Sequence, residues 1–284
     1  MSTQNEDMIV SEISLNSGKE IVKSDGEFYI STFRCFIKQD GGEKSTLNVR
    51  FDKDGDLIRD DGSEEEIKFQ IKHKIESNLA QVAYQIWRGA FFLADFAIQN
   101  RHLFEQKTIL EIGSGSGLTS IAVDKICRTK LVKCSDLPEF QTVLTENISL
   151  NNSKCQALPL DLTNIGKETK FNFDICLGAD IIYDNDLTDA VIEFISSSVT
   201  NLKIGGEVIF LFSVDKRYIF TIDQLETVAP SYEYFIAKLE ELKSNVPKYI
   251  FFEENEHEVS DVKQSFCYER SDDLCILSLK ILKK

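Results

Sequence analysis

Apolar positions along this chain follow two different repeats. From residue 107 onward, short apolar runs alternate with segments whose apolar positions recur every three or four residues. The runs "KTILEIG", "KLVKCSD", "CQALPLD", "FDICLGAD" and "GGEVIFLFSV" read as strands. Helices are expected between them at about 117–127, 138–151 and 186–201. Such alternation predicts βαβ units with right-handed crossovers, and a mostly parallel sheet covered on both faces. Two further strands are expected near 248–253 and 274–282. The intervening stretch 217–242 reads as a helix, broken or kinked near Pro230.

The first third of the chain is patterned differently. Residues 1–26 are polar with scattered hydrophobes, and a frayed start is expected. "EFYISTFRCFI" has strand composition, "KQDGGEKS" is a turn, and "TLNVRF" is placed to pair back as a hairpin. The acidic stretch "DKDGDLIRDDGSEEE" fails as a calcium loop. Counting Asp52 as its first position puts Leu57 where glycine is required and Ser63 where a bidentate glutamate is required. "IKFQIKHKI" (67–75) reads as another strand. In 76–100, Leu79, Val82, Ile86, Ala90, Leu93 and Ala97 recur at helical spacing, which predicts an amphipathic helix carrying Trp87. The expected division is an N-terminal extension over 1–75 and a main α/β domain over 76–284.

Composition narrows the classes. Hydrophobic residues make up 42% and charged residues 28% of 284, the balance of a soluble globular protein. No apolar run approaches the ~20 residues that span a bilayer, and the first residues lack the pattern of a signal or transit peptide. The seven cysteines form no C-x-x-C pair, and several sit in apolar runs, as buried thiols in a reducing compartment do. With three histidines, a structural zinc site has little support. A net charge of −15 disfavours polyanions and attracts basic partners.

The strand–turn–helix segment "TILEIGSGSGLTSI" (108–121) carries the candidate chemistry. A dinucleotide fingerprint starting at Gly113 requires glycine at 118, where this chain has Leu118. The third glycine falls at Gly117 instead, and Glu111 precedes the first by two residues. A pyrophosphate at this helix N-terminus would meet that carboxylate, whereas a phosphate-free nucleoside with an ammonium group would not. S-adenosylmethionine is such a ligand. The next strand ends in Asp136, 25 residues after Glu111, where a carboxylate can accept from both ribose hydroxyls. The third strand ends at Asp161 and Leu162. Two readings stand for Asp161, as acceptor for the adenine amino group or as helix N-cap; Leu162 is placed to pack on the ring. The fourth ends in "GADIIYDND", which brings Asp180 and Tyr183 to the same carboxyl edge.

At "QIWRGAFFLADFAI", "LEIGSGSGLTSI", "SDLPEF", "NISLNN", "LDL" and "GADIIYDNDLTDAV" the chain resembles methyltransferase family 16 of the protein lysine methyltransferases. The resemblance covers roughly residues 67–245. It implies a Rossmann-like seven-stranded sheet with an N-terminal extension, and S-adenosylmethionine as methyl donor. Carried over by motif, it implies that Trp87 lines the cofactor pocket. Glu111, Gly113, Ser114, Gly115 and Gly117 form the cofactor turn, Asp136 meets the ribose, and Ala179 follows the fourth strand. The acid-x-x-aromatic motif falls on Asp180 and Tyr183, near the methyl-accepting lysine. Leu162 departs from the family, which often has tryptophan there; leucine still offers adenine an apolar face. The resemblance also implies a basic protein substrate of the KIN-type DNA/RNA-binding kind. A monomer in nucleus and cytoplasm is expected.

A sulfonium methyl donor already carries its leaving group, so the protein must chiefly align the reactants and deliver a neutral amine. Lysine, with an unperturbed pKa of about 10.4, needs desolvation to lose its proton. Positioning roles are therefore expected of Asp180 and Tyr183. Methylation of nucleic-acid bases is disfavoured, since no adjacent prolines follow the strand-four acid and no basic patch offers a phosphate track. A catalytically silent cofactor-binding module and a methyltransferase with a non-lysine acceptor remain the alternatives.

Overall fold

The computed structural model describes residues 8–13, 20–24, 26–38, 50–51, 57–58, 64–165, 171–221 and 226–284. Seven strands form its main sheet: β1 (Thr108–Ile112), β2 (Leu131–Asp136), β3 (Gln156–Pro159), β4 (Ile175–Ala179), β5 (Glu207–Asp215), β6 (Ile250–Glu258) and β7 (Leu274–Lys283). Their order is β3-β2-β1-β4-β5-β7-β6. The first five are parallel, and β7 runs antiparallel between β5 and β6. Strand order reverses between β1 and β4, and the crevice beyond their carboxyl ends is where such sheets bind ligands.

Among the described residues five longer helices cover the sheet, α1 (Arg88–Gln99), α2 (Leu118–Ile126), α3 (Gln141–Leu150), α4 (Asn185–Asn201) and α5 (Pro230–Asn245), and a short helix, Arg101–Phe104, follows α1. Successive strand residues point to opposite faces. Ile109, Ile175 and Leu211 accordingly join one core with α1, α2 and α3, while Leu110, Cys176, Phe210 and Phe212 join a second with α4 and α5. Burial on both faces explains why these strands read as apolar runs, with Glu111 the buried polar exception in β1. Six of the seven cysteines are buried, and Cys267 is exposed.

The N-terminal extension is a three-stranded antiparallel sheet, Glu20–Ser24 beside Tyr29–Lys38 beside Glu64–His73. Its Phe33, Cys35, Phe69 and Ile71 share the core of α1. The open edge of Glu64–His73 is closed by two asparagines one turn apart, Asn147 in the last turn of α3 and Asn151 at its C-cap. Asn151 accepts from the Gln70 N–H at 2.9 Å and donates to the Gln70 carbonyl at 2.7 Å. Asn147 treats Lys72 likewise, at 2.7 and 2.9 Å. These side-chain amides stand in for a neighbouring strand, which is how an edge is kept from pairing elsewhere.

Several expectations are corrected. The single helix over 76–100 is two pieces, a 3-10 turn at Leu79–Tyr84 and α1 from Arg88. Gln85 and Trp87 between them are extended, with ψ of 165° and 153°. The helical repeat was real, but its first half faces a cavity and its second half the core. The helix over 217–242 is likewise wrong at its start. Ile219–Thr221 pairs with Glu226–Val228, and Pro230 opens α5 where its missing N–H has no partner to lose. The start expected to fray, residues 1–7, lies outside the described residues; beyond it Ser11 and Ile13 are buried and Glu20–Ser24 is a strand. Most of "TLNVRF" and of the acidic stretch after it lies outside the described residues; Arg50–Phe51 pairs with Leu57–Ile58.

Candidate functional site

The turn after β1 is built on three glycines in the left-handed region, Gly113, Gly115 and Gly117, at φ of 61°, 52° and 81°. All three also make close approaches. A Cβ on Gly115 would lie 2.8 Å from the Ala83 carbonyl oxygen, and one on Gly113 would lie 2.7 Å from the Ile181 side chain. Only glycine combines that backbone with that space. The turn is tied to β2, since the Ser114 N–H donates to the Ser135 carbonyl at 2.9 Å. The Gly115 N–H donates to an Asp136 carboxylate oxygen at 2.6 Å, and the Leu137 N–H donates to the other at 2.8 Å. Each oxygen keeps a second lone pair for a ligand.

Glu111 is 1% exposed, and one carboxylate oxygen accepts both the N–H and the hydroxyl of Ser120. Ser120 lies in the first turn of α2, so Glu111 occupies an amide that a phosphate at this helix start would need. The exclusion of a pyrophosphate thus comes from competition for the helix terminus as much as from repulsion. Burial pushes Glu111 up to about 7, despite the Ser120 and Thr119 hydrogen bonds. Burial likewise pushes Asp136 up to about 6, against the pull of the Gly115 and Leu137 amides.

A cavity of about 390 Å³ opens along this turn, within the roughly 300–1,000 Å³ of small-molecule sites. Trp87, Glu111, Gly113, Ser114, Gly115, Asp136, Asp161, Leu162, Ala179, Asp180 and Tyr183 all border it. Gly117 does not. It caps α2, and a Cβ there would lie 2.5 Å from the Leu144 side chain, so its constraint is packing. Leu137, Phe140, Leu160 and Leu162 give one end of the cavity an apolar lining. Asp161 stands at its edge as an N-cap, accepting from the Thr163 N–H at 3.0 Å and hydroxyl at 2.7 Å. These hydrogen bonds and those from Asn164 hold it below its ordinary range.

The other end is formed by α1 and the segment after β4. Asp180 adopts φ 51°, a strained conformation for a residue with a side chain. Its oxygens accept from the Gly89 N–H at 2.9 Å and the Asp215 N–H at 3.2 Å, tying the start of α1 to the end of β5. Gly89 has no room for a side chain, since a Cβ would lie 2.5 Å from Asp180. Burial pushes Asp180 up to about 6, with Arg217 opposing. Tyr183 is 41% exposed at the rim. The Trp87 indole N–H donates to the Val82 carbonyl at 3.0 Å, which turns its ring along the cavity wall.

Sequence reasoning missed the parts brought from a distance. Gln85, 2% exposed, borders the cavity and donates to the Ile9 carbonyl at 2.8 Å and the Ser77 hydroxyl at 2.7 Å. Tyr84 stacks edge-on against Phe140 at 4.7 Å and donates to the Glu139 carbonyl, clamping the 3-10 turn over the apolar end. Glu12 and Arg217 meet at 3.6 Å beside Trp87. Gln85 opens the resemblance stretch "QIWRGAFFLADFAI", but its spacing gives no sign of these contacts, and no local motif marks Tyr84, Glu12 or Arg217. Among the described residues, no cluster of His, Cys, Asp and Glu is placed to hold a metal ion.

A lysine methyltransferase family model, methyltransferase family 16, matches residues 64–225. Methyltransferase-like protein 22 of Mus musculus is 31% identical over 198 residues, covering 61% of this chain and 49% of that protein. The chain thus spans about half the length of that relative. Protein-lysine N-methyltransferase EEF2KMT of Homo sapiens is 31% identical over 113 residues, 34% of each chain. Among solved structures, M. jannaschii TYW2 in complex with AdoMet aligns with a TM-score of 0.46 at 14% identity, covering 78% of this chain and 85% of that one.

Proposed function

We propose that this chain, which belongs to the lysine methyltransferase family matched over residues 64–225, transfers a methyl group from S-adenosylmethionine to a lysine of a basic protein. One observation carries the reading. A single cavity holds the glycine turn, Asp136 and the Asp180–Tyr183 pair, all at the carboxyl edge of a parallel sheet.

The residues present fit the cofactor. Asp136 offers two oriented oxygens to vicinal hydroxyls, the Leu137–Phe140–Leu160–Leu162 end suits an adenine ring, and Glu111 closes the helix terminus to phosphate. When bound, S-adenosylmethionine supplies a methyl group activated by its sulfonium. The chain's own part is to hold, align and desolvate. Asp180 is fixed by two backbone amides, so a lysine ammonium meets an immobile carboxylate. Tyr183 walls the entrance. The net charge of −15 favours a lysine-rich partner, and a KIN-type DNA/RNA-binding protein is the first candidate by family resemblance.

The test is incubation with labelled S-adenosylmethionine and a basic-protein extract, beside calorimetry of cofactor binding. Label on lysine supports the reading. Binding without transfer to any protein turns the assignment to a silent binding module, and absence of both ends it.

A further inference from the structure

A cation lies beside the acceptor end of the cavity, over the ring of Trp87, which lines it. Arg217 follows β5 in the left-handed region, at φ 46°. Its guanidinium carbon lies 5.3 Å from the centroid of the Trp87 ring, and Nη2 lies 3.6 Å from a Glu12 carboxylate oxygen. The same guanidinium stabilises the charge of Asp180, which Glu12 and Asp215 oppose. Glu12 and Asp180 therefore share one exposed guanidinium above an aromatic face, while Asp215 accepts from the Arg217 backbone N–H at 3.3 Å.

Glu12 is held in place. The Ser11 N–H donates to the Ile75 carbonyl at 2.7 Å, the Ile9 carbonyl accepts from Gln85, and Ile13 is 3% exposed. The second Glu12 oxygen approaches the N–H of Arg88, at the positive end of α1. Arg217, by contrast, has 45% of its side chain exposed and a backbone under strain. The slot is anchored and its occupant is loose. A cation over an indole and beside carboxylates is also what a lysine ammonium must become as it approaches Asp180.

We propose that Trp87 and Glu12 form the acceptor-cation slot and that Arg217 is its resting occupant, displaced by the incoming lysine. The proposal rests on the lysine-methyltransferase reading. Glu12 is then a specificity residue supplied by the N-terminal segment, and Arg217 sets a threshold that a single weakly bound cation does not pass.

Trp87 is the only tryptophan, so its fluorescence reports the slot without turnover. Wild type, Arg217→Ala, Arg217→Lys and Glu12→Gln are titrated with a lysine-rich peptide, and KM for that peptide is measured in parallel. Arg217→Ala should shift the wild-type emission and tighten peptide binding. Its KM should fall roughly three- to tenfold, the size of one exposed cation–π contact plus one surface ion pair. Arg217→Lys, which keeps the charge and loses the planar stack, should fall between. Glu12→Gln should weaken peptide binding by a similar factor while cofactor affinity stays within about twofold. Unchanged or weaker peptide binding in both Arg217 variants, with melting temperatures near wild type, overturns the proposal. Loss of cofactor binding in the wild type instead overturns the functional reading beneath it.

Discussion

The two ends of the cavity are built in opposite ways. The cofactor end comes from the ends of three neighbouring strands, and its main contacts run between residues 111 and 137. The end proposed for the acceptor is lined from residues 85–90 and 179–183 and backed by 9–13 and 215–217, which meet only in the folded chain. A turn that must cradle a fixed ligand needs local backbone geometry, and local geometry leaves glycines in the sequence. A surface that selects a protein partner needs charges at defined places, and these can come from anywhere in the chain. The two ends should therefore fail differently when altered.

The largest effect is expected at the cofactor end. Gly115→Ala places a Cβ 2.8 Å from a backbone carbonyl in a left-handed turn, and neither side can yield cheaply. Cofactor affinity should drop on the order of a hundredfold or more, as steric strain of about 3 kcal/mol implies. Calorimetry checks this, and near wild-type binding would show that the turn does not set the pocket.

Asp180→Asn tests the acceptor end. It retains one carbonyl oxygen for the Gly89 or Asp215 amide and removes the charge. Methyl transfer should fall about a hundredfold, a usual scale for a lost positioning group. Cofactor affinity should stay within a few-fold. If affinity falls as far as turnover, the two ends are not separable.

Legibility followed the same division. The β/α alternation, the glycine spacing and Asp136 are short-range patterns, and the sheet order places them together without further information. The break at Gln85–Trp87 escaped notice because apolar residues recur at helical spacing on both sides of it. What stops the helix is tertiary: Gln85 is pinned to Ile9 and Ser77, and the Trp87 indole to Val82. Glu12 and Arg217 left no signal at all, because one acid and one base 205 positions apart look like any other surface charges. The asparagines of "NISLNN" were visible as a resemblance, but their role as a surrogate strand needed the extension's edge to be in view.

That role gives an intermediate prediction linking the ends. Asn147 bonds Lys72 of the extension and also donates to the Ser116 carbonyl in the glycine turn at 2.9 Å. It is fully buried, so Asn147→Ala orphans several backbone groups at once. A loss of about 1–3 kcal/mol in stability is expected, with protection from hydrogen exchange reduced at both Lys72 and the 113–117 turn. If protection drops at Lys72 alone, the extension is not coupled to the cofactor turn.

The smallest effect concerns pH. Burial raises Glu111 to about 7 and Asp95, Asp136 and Asp180 to about 6, all above their unfolded values. Carboxylates of the unfolded chain ionise near pH ~4. Between about pH 4 and 7 the folded state thus binds more protons, and stability must fall as pH rises through that window. Relief of the −15 net charge on acidification adds in the same direction. Glu256, which Lys216 and Tyr232 hold below its ordinary range, works the other way only at lower pH. The melting temperature of the cofactor-free protein should therefore be higher near about pH 5.5 than near about pH 8. Glu111→Gln separates the local cause from the global one. Glutamine still accepts from Ser120 but cannot ionise, so the variant should lose the part of the slope nearest neutrality while keeping the rest. An unchanged slope would place the pH response in Asp95, Asp136, Asp180 and the surface charge, and would show that Glu111 does not make the cofactor end sensitive to protons.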